Sequence, residues 1–234
     1  MTRTKPAEQR RAELLAAGQA LFLAKGIAGT SLDDITQRAG VSKGLFYLYF
    51  ASKEDLVLAL REQFSRDLAG RMRAAAEAVP ADAETAPADM AAWAGRLDAC
   101  VRAGFEGYRE LHDLHEVLFH HARVAPPEAG KSASVTSASG KFGSVISRSG
   151  QADGPGEPDP DPPDPSPVAR VIRELLEAGA AAGAFDVADP ESTAVLCYAS
   201  MHAFDDDFRG RPGPDDARLI RAAQQLFRRA AGLP

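Results

Sequence analysis

The chain has 234 residues, of which 45% are hydrophobic, and it carries a formal net charge of −6. Such a length can bury one good hydrophobic core and leaves room for a small second domain. The two cysteines cannot form a disulfide framework. No apolar run approaches the roughly 18 residues that span a bilayer, and residues 1–11 contain no signal-peptide core. We therefore expect a cytoplasmic protein that does not engage a membrane.

Charge is distributed unevenly along the chain. Residues 1–61 hold nine Lys and Arg residues against six Asp and Glu residues, a net charge of +3 that leaves −9 for the remainder. Binding to nucleic acid depends on local cations that release counterions from phosphates. A basic amino-terminal block on an acidic body is therefore compatible with DNA binding through that block alone.

Apolar residues recur at helical spacing along most of the chain, and no alternating pattern predicts a strand longer than a few residues. Gly26 and Gly40 mark predicted helix ends, and the hydroxyls of Ser31, Ser42 and Ser52 are placed to cap helix starts. The amino-terminal helices are predicted over Ala7–Lys25, Leu32–Ala39, Lys43–Tyr49 and Lys53–Val79.

Four further helices are predicted over about residues 88–124, 168–182, 191–208 and 215–231. Residues 125–167 break the helical pattern, because they hold nine of the sixteen prolines and eight serines. Each proline removes a backbone donor and restricts the residue before it. This segment is predicted to be a disordered loop between two helices of the body.

The second and third predicted helices are short, and residues 39–42 join them through Gly40, which permits a tight turn. Packed on the first helix, they form a helix-turn-helix whose second helix fits a DNA major groove. The outward side of that helix offers a cation, a backbone glycine and tyrosine hydroxyls. The pattern predicts a three-helix DNA-binding domain over residues 1–55.

A more specific signal comes from residues 29–35, 39–50 and 52–56. These stretches resemble the TetR family of transcriptional regulators, and the likeness runs continuously over about residues 8–60. The resemblance implies an all-α protein in which residues 56–234 form a helical-bundle domain for ligand binding and dimerisation. It also implies that the last two helices form the interface of a homodimer, which would read a palindromic operator in double-stranded DNA.

Carried over position by position, the resemblance implies that Thr30, Ser31 and Lys53 contact phosphate and that the third helix faces base edges and the nearby backbone. Leu45 stands where Thr or Ser is frequent, and Leu48 where His is frequent, so few polar side chains remain to read bases. The predicted DNA-binding residues are Thr30, Ser31, Ser42, Lys43, Gly44, Leu45, Tyr47, Leu48, Tyr49 and Lys53.

The predicted function is a ligand-responsive regulator, a repressor that an unknown small-molecule effector releases from its operator. Aromatic and methionine residues of the body are candidates for lining the effector site, although such residues also fill the core of any helical bundle. The candidates are Trp93, Phe105, Tyr108, Leu111, His115, Phe119, Leu176, Met201 and Phe204.

Two alternatives remain open at this stage. His112, His115, Glu116 and His120 fall on one broad helix face, which could bind a metal and make the protein a metal-responsive regulator. A helical ligand-binding module without DNA function is the other. An enzyme is not expected, because no nucleotide-binding, hydrolase or zinc-protease motif is present, and no cofactor or resident metal is predicted.

Overall fold

The computed structural model describes residues 6–80, 89–119, 166–203 and 216–233. Within these ranges the ordered elements are helices and no strand occurs, which confirms the predicted all-α fold. The helices are α1 (Ala7–Lys25), α2 (Leu32–Ala39), α3 (Lys43–Tyr47), α4 (Lys53–Glu77), α5 (Met90–Glu110), α6 (His112–Phe119), α7 (Pro167–Ala181), α8 (Pro190–Ala203) and α9 (Asp216–Ala230).

Serine caps begin the three helices α2, α3 and α4. The Ser31 hydroxyl accepts a hydrogen bond from the Asp34 amide, and the Asp34 carboxylate accepts one from the Ser31 amide, so α2 starts with a reciprocal capping box. Ser42 accepts from the Leu45 amide at the start of α3, and Ser52 accepts from the Asp55 amide at the start of α4. The predicted helix starts of the amino-terminal unit are thereby confirmed.

A single left-handed residue turns the chain between α2 and α3. Gly40 has φ 65° and ψ 38°, and its amide donates to carbonyls of the last turn of α2. A side chain added there would meet no heavy atom within 4 Å, so only backbone strain disfavours other residues. The turn that the sequence predicts at Gly40 is confirmed.

Helix α4 runs from the amino-terminal unit into the body. Its predicted apolar stripe is buried along the whole length, from Leu56 through Leu60, Phe64 and Leu68 to Met72. It packs against α1 at its start and against α5 and α7 farther along. One core therefore extends through the described helices, which belong to a single compact unit. The domain boundary predicted after residue 55 falls inside α4 and stays a prediction.

The remaining body helices pack around α4 and α5. Helix α9 lies against α5, α8 lies against α7, and α6 lies against both α1 and α4. Arg228 of α9 donates two hydrogen bonds to the Asp98 carboxylate of α5, at 2.9 and 2.5 Å. A second ion pair, between Arg109 and Asp216 at 2.9 Å, joins the same two helices. Helix α9 is thus held to α5 by charged side chains as well as by its buried apolar face.

Three predicted boundaries need correction. The long helix predicted over residues 88–124 is two helices, because Leu111 (φ −105°, ψ 15°) leaves helical geometry and separates α5 from α6. Helix α3 ends at Tyr47 rather than Tyr49, in a turn closed by the Tyr49 amide donating to Phe46. Pro167, assigned to the loop, is the first residue of α7, and the rest of that predicted loop, except Ser166, lies outside the described residues.

Substituting Gly40 tests the turn. Gly40→Ala should lower the free energy of unfolding by about 1–2 kcal/mol, because an L side chain is strained in the left-handed region. Gly40→Asn is the matched control and should cost less, since Asn tolerates that conformation. Chemical denaturation of both variants measures the difference, and equal stability of Gly40→Ala and the wild type would contradict this account of the turn.

Candidate nucleic-acid interface

Helix α3 separates a buried side from an exposed side. The rings of Phe46 and Phe50 are 0% and 2% exposed, with centroids 5.6 Å apart. On the other side, Tyr47 is 57% exposed and Leu48 is 77% exposed. Large apolar surface left in water at a helix that short is unusual for core packing and typical of a contact surface.

The side chains predicted to face DNA from α3 fall mostly on this exposed side. Ser42, Lys43 and Gly44 are exposed like Tyr47 and Leu48. Leu45 and Tyr49 are half-buried, and Tyr49 packs partly against the core. The structure therefore brings together the residues predicted at the start of α3, with Tyr49 at their edge.

The exposed side is held in place from behind. The Arg11 guanidinium of α1 lies over the Phe50 ring, 5.3 Å from its centroid. Such a cation–π contact is stabilising and directional. Because Phe50 packs on Phe46, this contact connects α1 to the inner side of α3.

Thr30 does not take the position predicted for it. Its side chain is 1% exposed, and its hydroxyl donates to the carbonyl of Gly26 at 2.7 Å. Its amide donates to the carbonyl of Ile27. Both donors are engaged within the turn after α1, which contradicts the predicted phosphate contact of this side chain.

Ser31 lies at the surface inside an ionic cluster. Its hydroxyl donates to the Asp34 carboxylate at 2.6 Å, and the Lys25 ammonium lies 2.7 Å from the same oxygen. Lys25 above all, and then Ser31, holds the pKa of the Asp34 carboxyl well below its usual range. The carboxylate at this helix start is therefore ionised throughout the physiological range, and a phosphate approaching Ser31 meets its negative charge.

Lys43 forms an exposed ion pair that a DNA phosphate can replace. Its ammonium pairs with the Asp33 carboxylate at 2.6 Å, and both side chains are more than half exposed. The hydrogen bond and charge of Asp33 raise the pKa of Lys43 above its ordinary value. An exposed pair of this kind is weak in water, so a phosphate can replace Asp33 at little cost.

Lys53 has a structural task that its sequence position did not reveal. Its ammonium donates to the carbonyls of Ile27 and Thr30, at 2.9 and 3.0 Å. These bonds tie the start of α4 to the turn between α1 and α2. An ammonium has three donors, so one remains for a phosphate.

Two exposed side chains beside the turn were missed. Gln37 and Arg38 lie in the last turn of α2, directly before Ala39 and Gly40, and both are exposed. A guanidinium and an amide this close to α3 are groups that can bind phosphate and hydrogen-bond to base edges. The sequence signal was available in their position directly before the predicted turn.

The effector candidates that the structure describes are buried or half-buried but do not form one group. Tyr108, His115 and Phe119 come together around Phe64, with the His115 and Phe119 rings stacked 4.6 Å apart. Other candidates lie in different contacts or outside the described residues. Trp93 contacts Phe185; Phe105, Leu176 and Met201 are buried; Leu111 is half-buried; Phe204 lies outside the described residues.

The predicted metal face is not formed. His115 is 1% exposed among aromatic rings, whereas the next residue, Glu116, faces solvent, so the two do not share a face. His120 lies outside the described residues. No group of three or more potential metal ligands occurs in the part of the chain that the structure describes. Of the helices described, none is both long enough and apolar enough to traverse a bilayer.

Comparison with known proteins agrees with this geometry. Residues 14–60 match the family described as bacterial regulatory proteins of the tetR family. The amino-terminal region of this chain is therefore similar to that of TetR-family regulators. The matched residues run from the buried part of α1 through α2 and α3 into α4, which are the elements that build the exposed side of α3.

Relatives match only part of this chain. The activator FasR from Mycolicibacterium smegmatis is 28% identical over 123 residues, which cover 53% of this chain and 51% of FasR. The regulator EthR from the same organism is 37% identical over 34% of this chain and 36% of EthR. A transcriptional repressor from Rhodococcus jostii is 39% identical over 27% of this chain and 31% of the repressor. The chain thus spans about half or less of these relatives' lengths, and they are named as transcriptional regulators, not enzymes.

Solved TetR-family structures share the fold over nearly the whole chain. A TetR-family regulator from Pectobacterium atrosepticum superposes with a TM-score of 0.56 at 22% identity, covering 99% of this chain and 100% of that protein. The regulator FadR from Bacillus subtilis, solved in complex with stearoyl-CoA, gives 0.56 at 16% identity over 94% and 98%. At such identities the likeness establishes the helical fold alone.

Two lysine variants test whether Lys53, unlike Lys43, stabilises the fold. Lys53→Met should lower the free energy of unfolding by about 1.5–3 kcal/mol, because two carbonyls lose a charged donor. Lys43→Met should leave stability nearly unchanged, since its partner Asp33 is exposed. Denaturant unfolding of both variants measures this contrast, and a Lys53→Met variant as stable as the wild type would refute the tie between α4 and the turn.

Proposed function

We propose that this chain is a transcriptional repressor of the TetR family that binds a palindromic DNA operator as a homodimer and is released by a small-molecule effector. The observation that carries the DNA-binding part is the exposed side of α3, where Tyr47 and Leu48 stand in water above the buried Phe46. A helical ligand-binding module without DNA function does not explain why residues 14–60, which build this surface, match a family of regulatory proteins. A metal-responsive version is not proposed, because His115 and Glu116 diverge.

The chemistry of this surface suits a duplex groove. The Lys43 ammonium and the Tyr47 hydroxyl can contact phosphates, and the missing side chain of Gly44 lets the backbone approach closely. Leu48 offers an apolar contact of the kind that a thymine methyl group accepts. The Ser42 hydroxyl already caps α3, so its contribution to DNA binding is to hold the helix start.

Selection from a random library of double-stranded DNA tests this function. The full chain should enrich a sequence with two inverted half-sites whose centres are ~34 Å apart or a multiple of that distance. Tyr47→Ala should weaken binding about tenfold, corresponding to roughly 1.5 kcal/mol for a hydrogen bond to a charged group. Leu58→Ala is the control, because Leu58 is 58% exposed on α4, outside this surface.

The outcomes of that selection are distinct. Enrichment of one palindromic motif, lost with Tyr47→Ala and kept with Leu58→Ala, supports the assignment. No enriched motif under moderate salt would refute specific DNA binding, whereas equal loss in both variants would assign binding to something other than α3.

The effector is proposed to bind in the aromatic part of the body. Phe64, Tyr108, His115 and Phe119 come from α4, α5 and α6, so a molecule placed among them touches three helices at once. Buried aromatic walls with a few polar atoms are the usual composition of small-molecule sites. One relative is named an activator and another a repressor. Repression is therefore a separate part of this proposal, in which the effector favours a dimer geometry that no longer fits the operator.

Homodimerisation is proposed through α8 and α9. Helix α8 turns Ala194, Cys197 and Met201 inward, yet Val195 and Leu196 are 43% and 70% exposed. Helix α9 likewise exposes 50% of Leu226 while Phe227 is buried. Apolar residues left in water on two helices are typical of an interface between subunits.

Charged substitutions on these faces test the dimer. Leu196→Glu and Leu226→Glu should each shift the chain from dimer to monomer, because a dimer would bury the new carboxylate without a partner. Leu58→Glu is the matched control, since Leu58 is similarly exposed on α4. Sedimentation velocity measures the change, and a wild-type chain that is monomeric, or variants that stay dimeric, would contradict this interface.

A further inference from the structure

Helix α6 contacts the two long helices that carry the recognition helix. It packs against α1, on which α2 lies, and against α4, which follows α3 directly in the chain. The position of α6 therefore constrains how the helix-turn-helix sits on the body. Contacts that hold α6 in place therefore also influence the orientation of α3.

One side chain of α4 fastens the end of α6. The Arg61 Nε donates to the carbonyl of Leu118 at 2.7 Å, and its guanidinium lies 5.3 Å from the centre of the Phe119 ring. Leu118 and Phe119 are the last two residues of α6 as the structure describes it. A cation at that end also suits the helix dipole.

The contact is sheltered from water. Arg61 is half-buried, and burial lowers the pKa of its guanidinium from the ordinary value, although arginine stays charged. The neighbouring Phe119 ring stacks on His115, which is itself buried. A planar guanidinium can donate to a carbonyl and cover a ring at the same time, which an ammonium does less well.

We propose that Arg61 is a positioning residue for DNA binding: by holding the last turn of α6 against α4, it fixes the orientation of the helix-turn-helix without touching DNA. The inference rests on the proposed DNA-binding function. The proposal goes beyond a local contact between α4 and α6, because it assigns to Arg61 an effect on α2 and α3. Among the described hydrogen bonds and ring contacts, Arg61 contacts neither of those helices.

The chain offers a matched control on the same helix. Arg71 of α4 pairs with Glu110 of α5 at 2.7 Å, but both side chains are about half exposed. Such a surface pair contributes little. Arg61→Gln and Arg71→Gln therefore remove the same charge from α4, one from a sheltered contact with α6 and one from the surface.

Hydrogen–deuterium exchange of the full chain is the first measurement. Arg61→Gln should speed exchange in residues 112–119 and also in residues 32–47, whereas Arg71→Gln should match the wild type in both. Faster exchange confined to 112–119 would overturn the proposal, since it would make Arg61 a local tie. This measurement needs no DNA, so it decides the mechanical link even if no operator is found.

Binding to the DNA selected by the wild type is the second measurement. Arg61→Gln should bind about tenfold more weakly with an unchanged dependence on salt, because no phosphate contact is lost. Arg61→Lys should recover part of the affinity, since its ammonium can reach the Leu118 carbonyl. A salt slope reduced by about one charge would overturn the proposal in favour of a direct phosphate contact.

A folding defect is separated by a milder variant. Phe119→Leu keeps an apolar side chain but removes the ring under the guanidinium. It should also speed exchange in residues 32–47 and weaken DNA binding, by less than Arg61→Gln. If Arg61→Gln fails to fold, this variant and Arg61→Lys decide the question, and wild-type exchange and affinity in both would refute it.

Discussion

Close packing of Leu56 against Gly18 is the contact on which the rest of the molecule depends. A Cβ at residue 18 would meet the end of the Leu56 side chain, so a larger residue there would force Leu56 to shift where α4 approaches α1. The approach buries Leu14 and Phe22 of α1 together with Leu56. Because α4 begins directly after α3, its angle to α1 also sets where the recognition helix stands.

Helix α4 is also part of the body, so the helix-turn-helix and the body are connected by a continuous helix. Leu60 and Phe64 continue the buried stripe of α4 without interruption, so no linker separates the helix-turn-helix from the body. Protein cores are packed like crystals and transmit displacement rather than absorbing it. A change of packing around Phe64 must therefore be accommodated by α4 as a whole, including the end that follows α3. Arg61 lies between these two parts of the helix.

Features determined by local chemistry were predicted well from the sequence. Ser31, Ser42 and Ser52 cap helices because each hydroxyl lies three residues before the amide it accepts from. Gly40 turns the chain because glycine adopts its φ of 65° without the strain that a Cβ introduces. The starts of α2, α3 and α4 and the turn between α2 and α3 followed from such short-range signals.

Features that depend on contacts distant in sequence were missed. The partners of Lys53 lie 26 and 23 residues earlier, so nothing near Lys53 indicates that its ammonium is engaged. Thr30 turns inward because its hydroxyl donates to the Gly26 carbonyl after α1, a nearby contact that the residue types did not indicate. Leu111 interrupts a predicted helix without Gly or Pro, and the packing of α6 against α1, α4 and α5 buries His115 while Glu116 faces solvent. A metal face inferred from spacing along one continuous helix could not anticipate this.

Charge at the candidate interface is largely compensated before any DNA arrives. Asp33 pairs with Lys43, and Asp34 pairs with Lys25, so two carboxylates occupy cations of the amino-terminal unit. The pairs differ in how readily they open. Asp34 also accepts from Ser31 and is held firmly, whereas the Asp33 side chain is 69% exposed. DNA phosphate therefore competes with Asp33 for Lys43, and the net gain of that exchange is smaller than for an unpaired cation. With electrostatic attraction reduced in this way, discrimination between DNA sequences rests more heavily on the uncharged contacts that Gly44, Tyr47 and Leu48 can make.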